Sequence, residues 1–249
     1  MKLTLITATF NSASTIKTCL DSVVFQNYND LEYLIIDGKS SDDTLNIVKD
    51  YQQKYPYIKL ISEKDYGIYD ALNKGLKLTT GDVVGFVHSD DLLANNHIIS
   101  DIVSKLQNEQ LDGVYGDLQY VDKVDLNKLI RLWKSCAFKL SLLKQGWMPA
   151  HPTLFLKKEV YEKHGLFDLT YKIAADYDFI LRVFKDNSLK FGYLPKVFTK
   201  MRVGGASNRS IKNIIQKTKE DYRAISSNQL GGILTIIRKN TSKIKQFFN

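Results

Sequence analysis

The first half of the chain alternates short apolar runs with stretches of helical spacing, and this alternation limits the possible folds more than any other feature. The apolar runs are Lys2–Ala8, Leu31–Ile36, Ile58–Ser62, Val83–His88 and the beginning of a fifth at Val114–Tyr115. Between them, apolar residues recur at the three- and four-residue intervals of amphipathic helices. Such an alternation predicts an α/β fold with a mainly parallel sheet covered by helices.

The second half of the chain shows weaker patterns. Residues 117–150 predict a mixed or antiparallel segment, Ile173–Phe184 predicts a helix, and two short strands are expected around Pro195. A helical stripe then runs from Ile211 to Ile225. We therefore expect one domain over residues 1–208, with halves 1–116 and 117–208, followed by a helical tail over residues 209–249.

Polar clusters stand at the ends of the predicted strands. Residues 9–11 follow the first strand, residues 37–40 follow the second, and residues 88–91 follow the fourth. Parallel sheets bind ligands at the carboxyl ends of their strands, so these clusters are predicted to share one site.

The carboxylates in two of these clusters, Asp37 and the pair Asp90-Asp91, could bind a ligand or could only stabilise the local backbone. Asp90 and Asp91 would repel each other at a strand end, and a hard divalent cation with nucleotide phosphates would offset that repulsion. The alternative is that they cap the next helix. Asp37 could accept hydrogen bonds from a ribose or a uracil NH, or it could only form an Asx-turn.

Further candidates come from helices and loops. Asp70 and Asn73 lie three residues apart on one helical face, where they could contact a base or sugar or simply face solvent. Asp176 opens a predicted helix, and it is either a catalytic base facing a cleft or an acid that stabilises the helix dipole. His151 and Arg202, with Trp147, are weaker candidates for an acceptor or diphosphate pocket. The alternatives are that His151 is a structural residue and that Arg202 belongs to an ordinary turn.

The order and spacing of these clusters resemble the family 2 glycosyltransferases. The matching segments are Thr7–Asn11, Glu32–Thr44, Glu63–Leu76, Gly81–Asp91, Met148–Phe155, Gly165–Asp168, Ala174–Arg182 and Val203–Ser207. The resemblance implies a GT-A fold, a Rossmann-like and mainly parallel sheet flanked by helices. It is strongest to the branch that builds bacterial O-antigen and capsule repeat units.

The resemblance also implies a role for each matched residue. Nucleotide-sugar binding falls to Thr9, Asn11, Asp37, Asp70, Asn73 and Asp90. Asp91 becomes the direct ligand of Mn²⁺ or Mg²⁺, and Asp176 becomes the base that activates the acceptor. The implied reaction is an inverting transfer of a hexosyl or N-acetylhexosaminyl group from a nucleotide-diphosphate sugar, with UDP the expected nucleotide, to a saccharide.

Two departures from the family pattern keep a second hypothesis open. His88 stands where many members carry an acid or Asn, and Ala175 replaces the Glu of the Glu-Asp pair, although Asp176 is present. A protein that binds sugar nucleotides without turning them over, as a scaffold, is the alternative to an enzyme.

The net charge of +8 is concentrated at the C-terminal end. Residues 209–249 hold nine Lys or Arg against Glu220 and Asp221, whereas residues 1–208 carry only +1. A nearly neutral body argues against a nucleic-acid partner. Basic residues among apolar ones predict an interfacial helix on an anionic membrane, although packing on the protein's own domain is the alternative. We expect a lipid-linked saccharide acceptor and a cytoplasmic protein, peripheral on the inner face of the membrane.

Overall fold

The computed structural model describes residues 1–204 and 211–244, and it has the predicted α/β architecture. The strands are β1 (Leu3–Thr9), β2 (Leu31–Asp37), β3 (Ile58–Ser62), β4 (Val83–Phe86), β5 (Leu92–Leu93), β6 (Gly113–Val121), β7 (Leu129–Trp133), β8 (Phe155–Lys157) and β9 (Phe191–Arg202). The helices are α1 (Ile16–Val24), α2 (Thr44–Lys54), α3 (Ile68–Leu78), α4 (Ile98–Asn108), α5 (Lys158–His164), α6 (Ala175–Phe184), α7 (Ile211–Ser227) and α8 (Ile233–Ile244). Leu140–Gln145 and His151–Thr153 form short 3₁₀ helices.

One sheet runs through the molecule in the order β3-β2-β1-β4-β8-β6-β9-β5, and β7 pairs with β6. Strands β1 to β4 are parallel to one another, and β6 is parallel to β9. β8 is antiparallel to both of its neighbours, β4 and β6. The sheet is therefore parallel in the first half and mixed in the second, as the sequence predicts.

Both faces of the sheet are buried, which explains why the strands are apolar runs rather than alternating patterns. Along β1, Leu3 and Leu5 belong to one core cluster, and Ile6 and Ala8 belong to the other. This alternation follows from the two-residue period of a strand. Helices cover each face, so the carboxyl ends of the parallel strands open at one edge of the sheet.

Several elements differ from the sequence prediction. The two strands expected around Pro195 form one strand, β9, whose register with β6 shifts beside Asp117. The predicted helix at 173 begins two residues later, at Ala175. The short strands β5, β7 and β8 and the helix α5 were not predicted, because runs this short leave little periodic signal.

The region predicted as a tail packs against the body of the protein. Ala224 and Ile225 of α7 and the following Leu230 are buried in one of the two core clusters. Alpha helix α8 lies against Gly146, whose Cβ, if it had one, would approach within 2.5 Å of the Lys239 Cβ. The boundary predicted at residue 208 therefore does not separate a free tail from a folded body. Residues 205–210 and 245–249, which include part of the Val203–Ser207 match, lie outside the described residues.

None of the helices in the described ranges has the length and apolar character needed to cross a membrane.

Candidate active site

Asp37 ends β2 and is fully buried at the carboxyl edge of the sheet. Its Oδ2 accepts hydrogen bonds from the Lys39 and Ser40 N–H groups at 3.0 and 3.1 Å and from the Ser62 hydroxyl at 2.6 Å. Its Oδ1 accepts the Ser40 hydroxyl at 2.5 Å. The Asx-turn that the sequence offered as the alternative is present, and the carboxylate joins the ends of β2 and β3.

Thr9 and Asn11 lie beside this carboxylate. Thr9 is paired with Asp37 across the parallel strands, and its buried hydroxyl has no hydrogen-bond partner in the part of the chain that the structure describes. Asn11 has a positive φ of 49°, its N–H donates to the Ser40 hydroxyl at 2.8 Å, and its side-chain oxygen accepts the Ser41 N–H at 2.8 Å. The loops after β1 and β2 are thus held together, and their role in binding a nucleotide stays a prediction.

Asp91 is fully buried behind the same edge. Its Oδ1 accepts the backbone N–H of Arg202 at 3.2 Å, whereas its Oδ2 has no hydrogen-bond partner among the described residues. The Arg202 guanidinium donates to the Asp90 carbonyl and to the Thr18 hydroxyl, the latter at 2.7 Å. Arg202 therefore supports the loop that carries the two acids, and its own side chain is buried.

The electrostatics of this loop favour a bound cation. Burial raises the pKa of the Asp91 carboxyl well above its usual range, and the neighbouring Asp90 raises it further, while the contacts from Arg202 lower it. A cation beside the unpartnered Oδ2 would reverse this penalty. Within residues 1–204 and 211–244, no group of three or more His, Cys, Asp or Glu side chains could hold a metal. The two carboxylates fit a hard divalent cation that takes its remaining ligands from a diphosphate or water.

Helix α3 sends three side chains in different directions. Asp70 accepts the Tyr66 N–H at 3.0 Å and lies 3.6 Å from the Lys74 ammonium. The Asn73 amide is buried and exchanges two hydrogen bonds with the Phe167 backbone, at 2.9 and 3.0 Å. It ties α3 to the second half of the chain, so its predicted contact with the nucleotide stays a prediction without support from this geometry.

Tyr69, one residue before Asp70, reaches the predicted base, Asp176. Its hydroxyl lies 2.6 Å from the Ile173 carbonyl and 3.0 Å from Asp176 Oδ1. Asp176 stands in the first turn of α6 and is partly exposed. It lines a cavity of about 400 Å³ that also opens onto His151.

The cavity has aromatic, apolar and cationic walls. Its lining comes from β6, β7, the loop before β8, the start of α6, the end of β9 and the two C-terminal helices, and it includes Tyr120, Trp133, Met148, Tyr177, Lys217 and Lys239. Lys239 lies 2.8 Å from Asp221 and 3.0 Å from the centre of the Tyr177 ring. Aromatic faces beside polar groups suit a sugar, and a carboxylate at the wall can receive a proton from it.

His88 and His151 lie between the acids at the sheet edge, Asp90 and Asp91, and the acid at the cavity, Asp176. Their ring centres are 6.1 Å apart. Burial lowers the pKa of His151 to about 4, although Asp176 opposes the shift, and the neighbouring His88 adds to it. The pKa of His88 is also lowered, mainly by burial. The imidazole of His151 is therefore neutral at pH 7, and its buried Nε2 has no partner within the described ranges.

The structure does not bring every candidate to the cavity. Trp147 stacks on Phe138 at 5.7 Å and packs edge-on against Tyr115 at 5.6 Å, within an aromatic cluster. Arg202 is on the Asp91 side. Asp178, on the same helix as Asp176, is buried, pairs with Arg182 at 2.9 Å and accepts the Asn228 amide at 3.1 Å.

Sequence reasoning missed Tyr69, Glu220 and Asp221 as site residues. Nothing in the sequence marked Tyr69 as a site residue, because it fits the apolar pattern of helix α3. Glu220 and Asp221 gave one, because they are the two acids in an otherwise basic segment of 41 residues. Both are buried in the structure.

Known proteins of one family are similar to this chain in sequence. The model of the family "Glycosyl transferase family 2" matches residues 4–165. A "PGL/p-HBAD biosynthesis glycosyltransferase" of Mycobacterium bovis is 28% identical over 243 residues, which cover 94% of this chain and 88% of that protein. An uncharacterized glycosyltransferase of Mycobacterium tuberculosis is 31% identical over 179 residues, 71% of this chain and 66% of that protein.

Solved structures share the fold. The crystal structure of S. aureus TarS residues 1–349 in complex with UDP-GlcNAc superposes with a TM-score of 0.71 at 19% identity, covering 100% of this chain and 72% of that one. The match to another crystal structure of TarS covers all of this protein but only 43% of the TarS chain. A mannosyltransferase from Pyrobaculum calidifontis, in complex with GDP-Man and Mn²⁺, gives a TM-score of 0.69 at 20% identity, covering 93% and 65% of the two chains.

The family match covers more than half of the chain, and the fold is that of GT-A glycosyltransferases. The chain therefore belongs to glycosyl transferase family 2 and is a glycosyltransferase.

Proposed function

We propose that this glycosyltransferase transfers a sugar, with inversion, from a nucleotide-diphosphate sugar to a hydroxyl of a saccharide acceptor. The observation that carries the proposal is the position of Asp176, a carboxylate at the wall of a 400 Å³ cavity that also opens onto the neutral His151. The sheet-edge acids would hold the donor on one side, and the cavity would admit the acceptor on the other.

In the proposed reaction, the acceptor hydroxyl gives its proton to Asp176 while its oxygen attacks the anomeric carbon. The new C–O bond forms on the face opposite the leaving diphosphate, and the bond from that carbon to the phosphate oxygen breaks. General-base help of this kind is typically worth about 10²–10⁴-fold. The Tyr69 hydroxyl, 3.0 Å from Asp176, orients the carboxylate.

Asp91, with Asp90 beside it, would hold Mn²⁺ or Mg²⁺, and such an ion supplies charge neutralisation to the leaving diphosphate. UDP is the proposed nucleotide, in keeping with a TarS structure that holds UDP-GlcNAc. The transferred group would then be hexosyl or N-acetylhexosaminyl. Thr9, Asn11 and Asp37 are the proposed contacts to the nucleoside.

The acceptor is proposed to be a lipid-linked saccharide of bacterial surface polysaccharide synthesis, O-antigen or capsule. Exposed apolar side chains on the two C-terminal helices support this, because Ile214, Ile215, Ile233, Leu234 and Ile237 are 51–69% exposed. Exposed Arg238 lies among the last three. This face would rest on the anionic inner surface of the cell membrane.

The test is a thermal-shift panel of UDP-, GDP- and dTDP-sugars, each with and without Mn²⁺, followed by assay of sugar transfer. A ligand that binds only the native state raises the melting temperature. We expect the largest rise with a UDP-sugar and Mn²⁺. In Asp91→Asn that Mn²⁺-dependent part should disappear, because an amide is a poorer ligand for a hard cation.

Asp101→Asn is the matched control, since Asp101 is an acid on the exposed side of α4 that pairs with Lys196. Its metal-dependent shift should equal that of the wild type. If UDP-sugars raise the melting temperature of all three proteins equally with and without Mn²⁺, the metal is removed from the proposal. Binding without turnover or donor hydrolysis would favour the scaffold alternative.

A further inference from the structure

We propose that Glu220, on the C-terminal helix α7, is a positioning residue for the base Asp176. The proposal rests on the proposed function, because it gives Asp176 the role of base. Glu220 does not touch Asp176, and it acts through the backbone of the loop that leads into α6.

The geometry at Glu220 is a convergence of three backbone donors. Its Oε1 accepts the N–H of Lys172 at 3.0 Å, and its Oε2 accepts the N–H groups of Ile173 and Ala174 at 2.8 and 2.9 Å. The Gln216 amide, one turn earlier on α7, donates to Oε1 at 2.7 Å. The carboxylate is almost fully buried, so water competes little for these bonds.

This carboxylate holds the three residues that precede α6, a helix with no side-chain cap of its own. The residue before the helix is Ala174, which has no side-chain oxygen to accept an N–H of the first turn. A buried negative charge at this point also interacts favourably with the helix dipole. Burial raises the pKa of Glu220, but the hydrogen bonds from Gln216 and the three N–H groups outweigh it, and the pKa lies below its usual value. Glu220 is therefore charged at neutral pH.

The same loop is held from its other side by Tyr69. Glu220 binds the Ile173 N–H, and the Tyr69 hydroxyl lies 2.6 Å from the Ile173 carbonyl and 3.0 Å from Asp176 Oδ1. Residue 173 is thus fixed at both of its backbone polar groups. One chain of contacts leads from α7, through this residue and Tyr69, to the carboxylate at the cavity.

Loss of Glu220 should therefore move or loosen the base without disturbing the donor site. The acids that would hold the donor, Asp37 and Asp91, contact neither the loop at 172–174 nor α7 in any hydrogen bond or ion pair between described residues. A small displacement of a catalytic group can cost up to about 10²-fold in rate. The effect should appear in kcat and leave the donor KM nearly unchanged.

The experiment compares three variants of the full chain. Glu220→Gln keeps the size of the side chain but turns one acceptor oxygen into an NH₂ group, which cannot accept an N–H. Ile225→Val is the matched control, because Ile225 is fully buried on the same helix and its truncation weakens packing without touching the loop. Asp176→Asn gives the effect of losing the base itself.

Two measurements are made on each variant. Hydrogen–deuterium exchange reports the peptide that contains residues 172–176, with no need for activity. Release of UDP from UDP-N-acetylglucosamine and UDP-glucose with Mn²⁺, with water as acceptor, gives kcat and KM. In Glu220→Gln we expect faster exchange in this peptide, and a kcat lowered about tenfold or more with donor KM within about twofold. Ile225→Val should keep both near wild type.

Each contrary result has a separate meaning. Equal exchange at 172–176 in Glu220→Gln and Ile225→Val overturns the positioning role, whether or not turnover is seen. Faster exchange with an unchanged kcat, while Asp176→Asn is inactive, overturns it as well. If Asp176→Asn turns over like the wild type, the proposed function has the wrong base, and that failure is visible without any result on Glu220.

Discussion

His151 shows how one buried side chain links stability to pH. Its ring packs 5.1 Å from Phe86 and 5.5 Å from Phe167, and its pKa is about 4 in the folded protein against an ordinary value near 6.5. Between pH 4 and pH 6.5, His151 binds a proton in the unfolded chain but not in the folded protein. The stabilisation is therefore complete above about pH 6.5 and is lost as the pH falls towards 4.

We predict that lowering the pH from 7 to 5 costs the wild type about 2 kcal/mol through this residue. His151→Phe keeps an aromatic ring and removes the titration, so it should flatten the pH dependence by that amount. Urea unfolding at the two pH values measures it, with His97→Gln as a control on an exposed histidine. Equal losses in wild type and His151→Phe would contradict the assignment. His88, whose pKa is also lowered, accounts for a residual slope.

For single residues, the sequence predicted their place in the fold better than it predicted which groups their side chains contact. The cluster at 37–40 and the pair Asp90-Asp91 lie at the sheet edge, as the rule for parallel strands requires. Asn73 and Trp147 could not be placed in the same way. A helical-face argument cannot tell that the Asn73 amide finds the backbone of Phe167, 94 residues away, or that Trp147 finds partners in an aromatic cluster.

Elements with long periodic patterns were predicted, and those formed by distant partners were not. Helices α1 to α4 and strands β1 to β4 carry their own signal in apolar spacing. The start of α6 does not, since the prediction began it at Ile173 and the structure begins it at Ala175, where the preceding N–H groups are taken by Glu220. β7 and β8 depend on strand pairing rather than on their own sequence pattern, since β7 pairs with β6 and β8 pairs with β4.

The packing of α7 yields a prediction about the C-terminal segment. A chain that ends at residue 207 loses buried Ala224 and Ile225 and leaves the three N–H groups at 172–174 without Glu220. Removing a buried Ile alone costs about 2–5 kcal/mol, and unpaired buried donors cost about 1–3 kcal/mol each. We expect a loss of about 5 kcal/mol or more, comparable to the whole stability of many domains.

Urea unfolding of three chains measures this loss. The full chain and a chain ending at residue 244, which keeps α7 and α8, should unfold at similar urea concentrations. The chain ending at 207 should unfold at a much lower concentration or be unfolded in buffer. A midpoint unchanged from the full chain would show that the first 207 residues are an independent domain, as the sequence alone suggested.

At the scale of the whole molecule, the two C-terminal helices present exposed apolar side chains to the surroundings. On α8, Thr235 and Lys239 are buried towards the body, and Ile233, Leu234 and Ile237 are 51–69% exposed on the other side. We predict that the full chain co-sediments with phosphatidylglycerol vesicles at low salt. Burial of each aliphatic side chain contributes about 1.5–3 kcal/mol, so the double substitution I233E/L234E should weaken binding about tenfold or more.

Val124→Glu is the control for that experiment, because Val124 is 91% exposed in the loop between β6 and β7. It adds one negative charge at an exposed apolar position away from α8, as the single substitution L234E does on α8, and it should bind vesicles as the wild type does. A full chain that stays in the supernatant at low salt would refute the membrane contact. An equal loss of vesicle binding in V124E and in the single variant L234E would assign the binding to net charge alone.

The place of β8 in the sheet has a consequence for biosynthesis. Strand β4, complete when residue 86 has been made, pairs on one side with β1, and its other side is filled by β8 at residues 155–157. A nascent chain leaving the ribosome therefore carries an unpaired strand edge for about 70 residues of further synthesis. Unpaired edges are sites of intermolecular pairing, and domains generally fold as units. The sheet of the first half therefore lacks a neighbour for β4 until translation has passed β8, and we expect the nascent chain to be most prone to intermolecular pairing before that point.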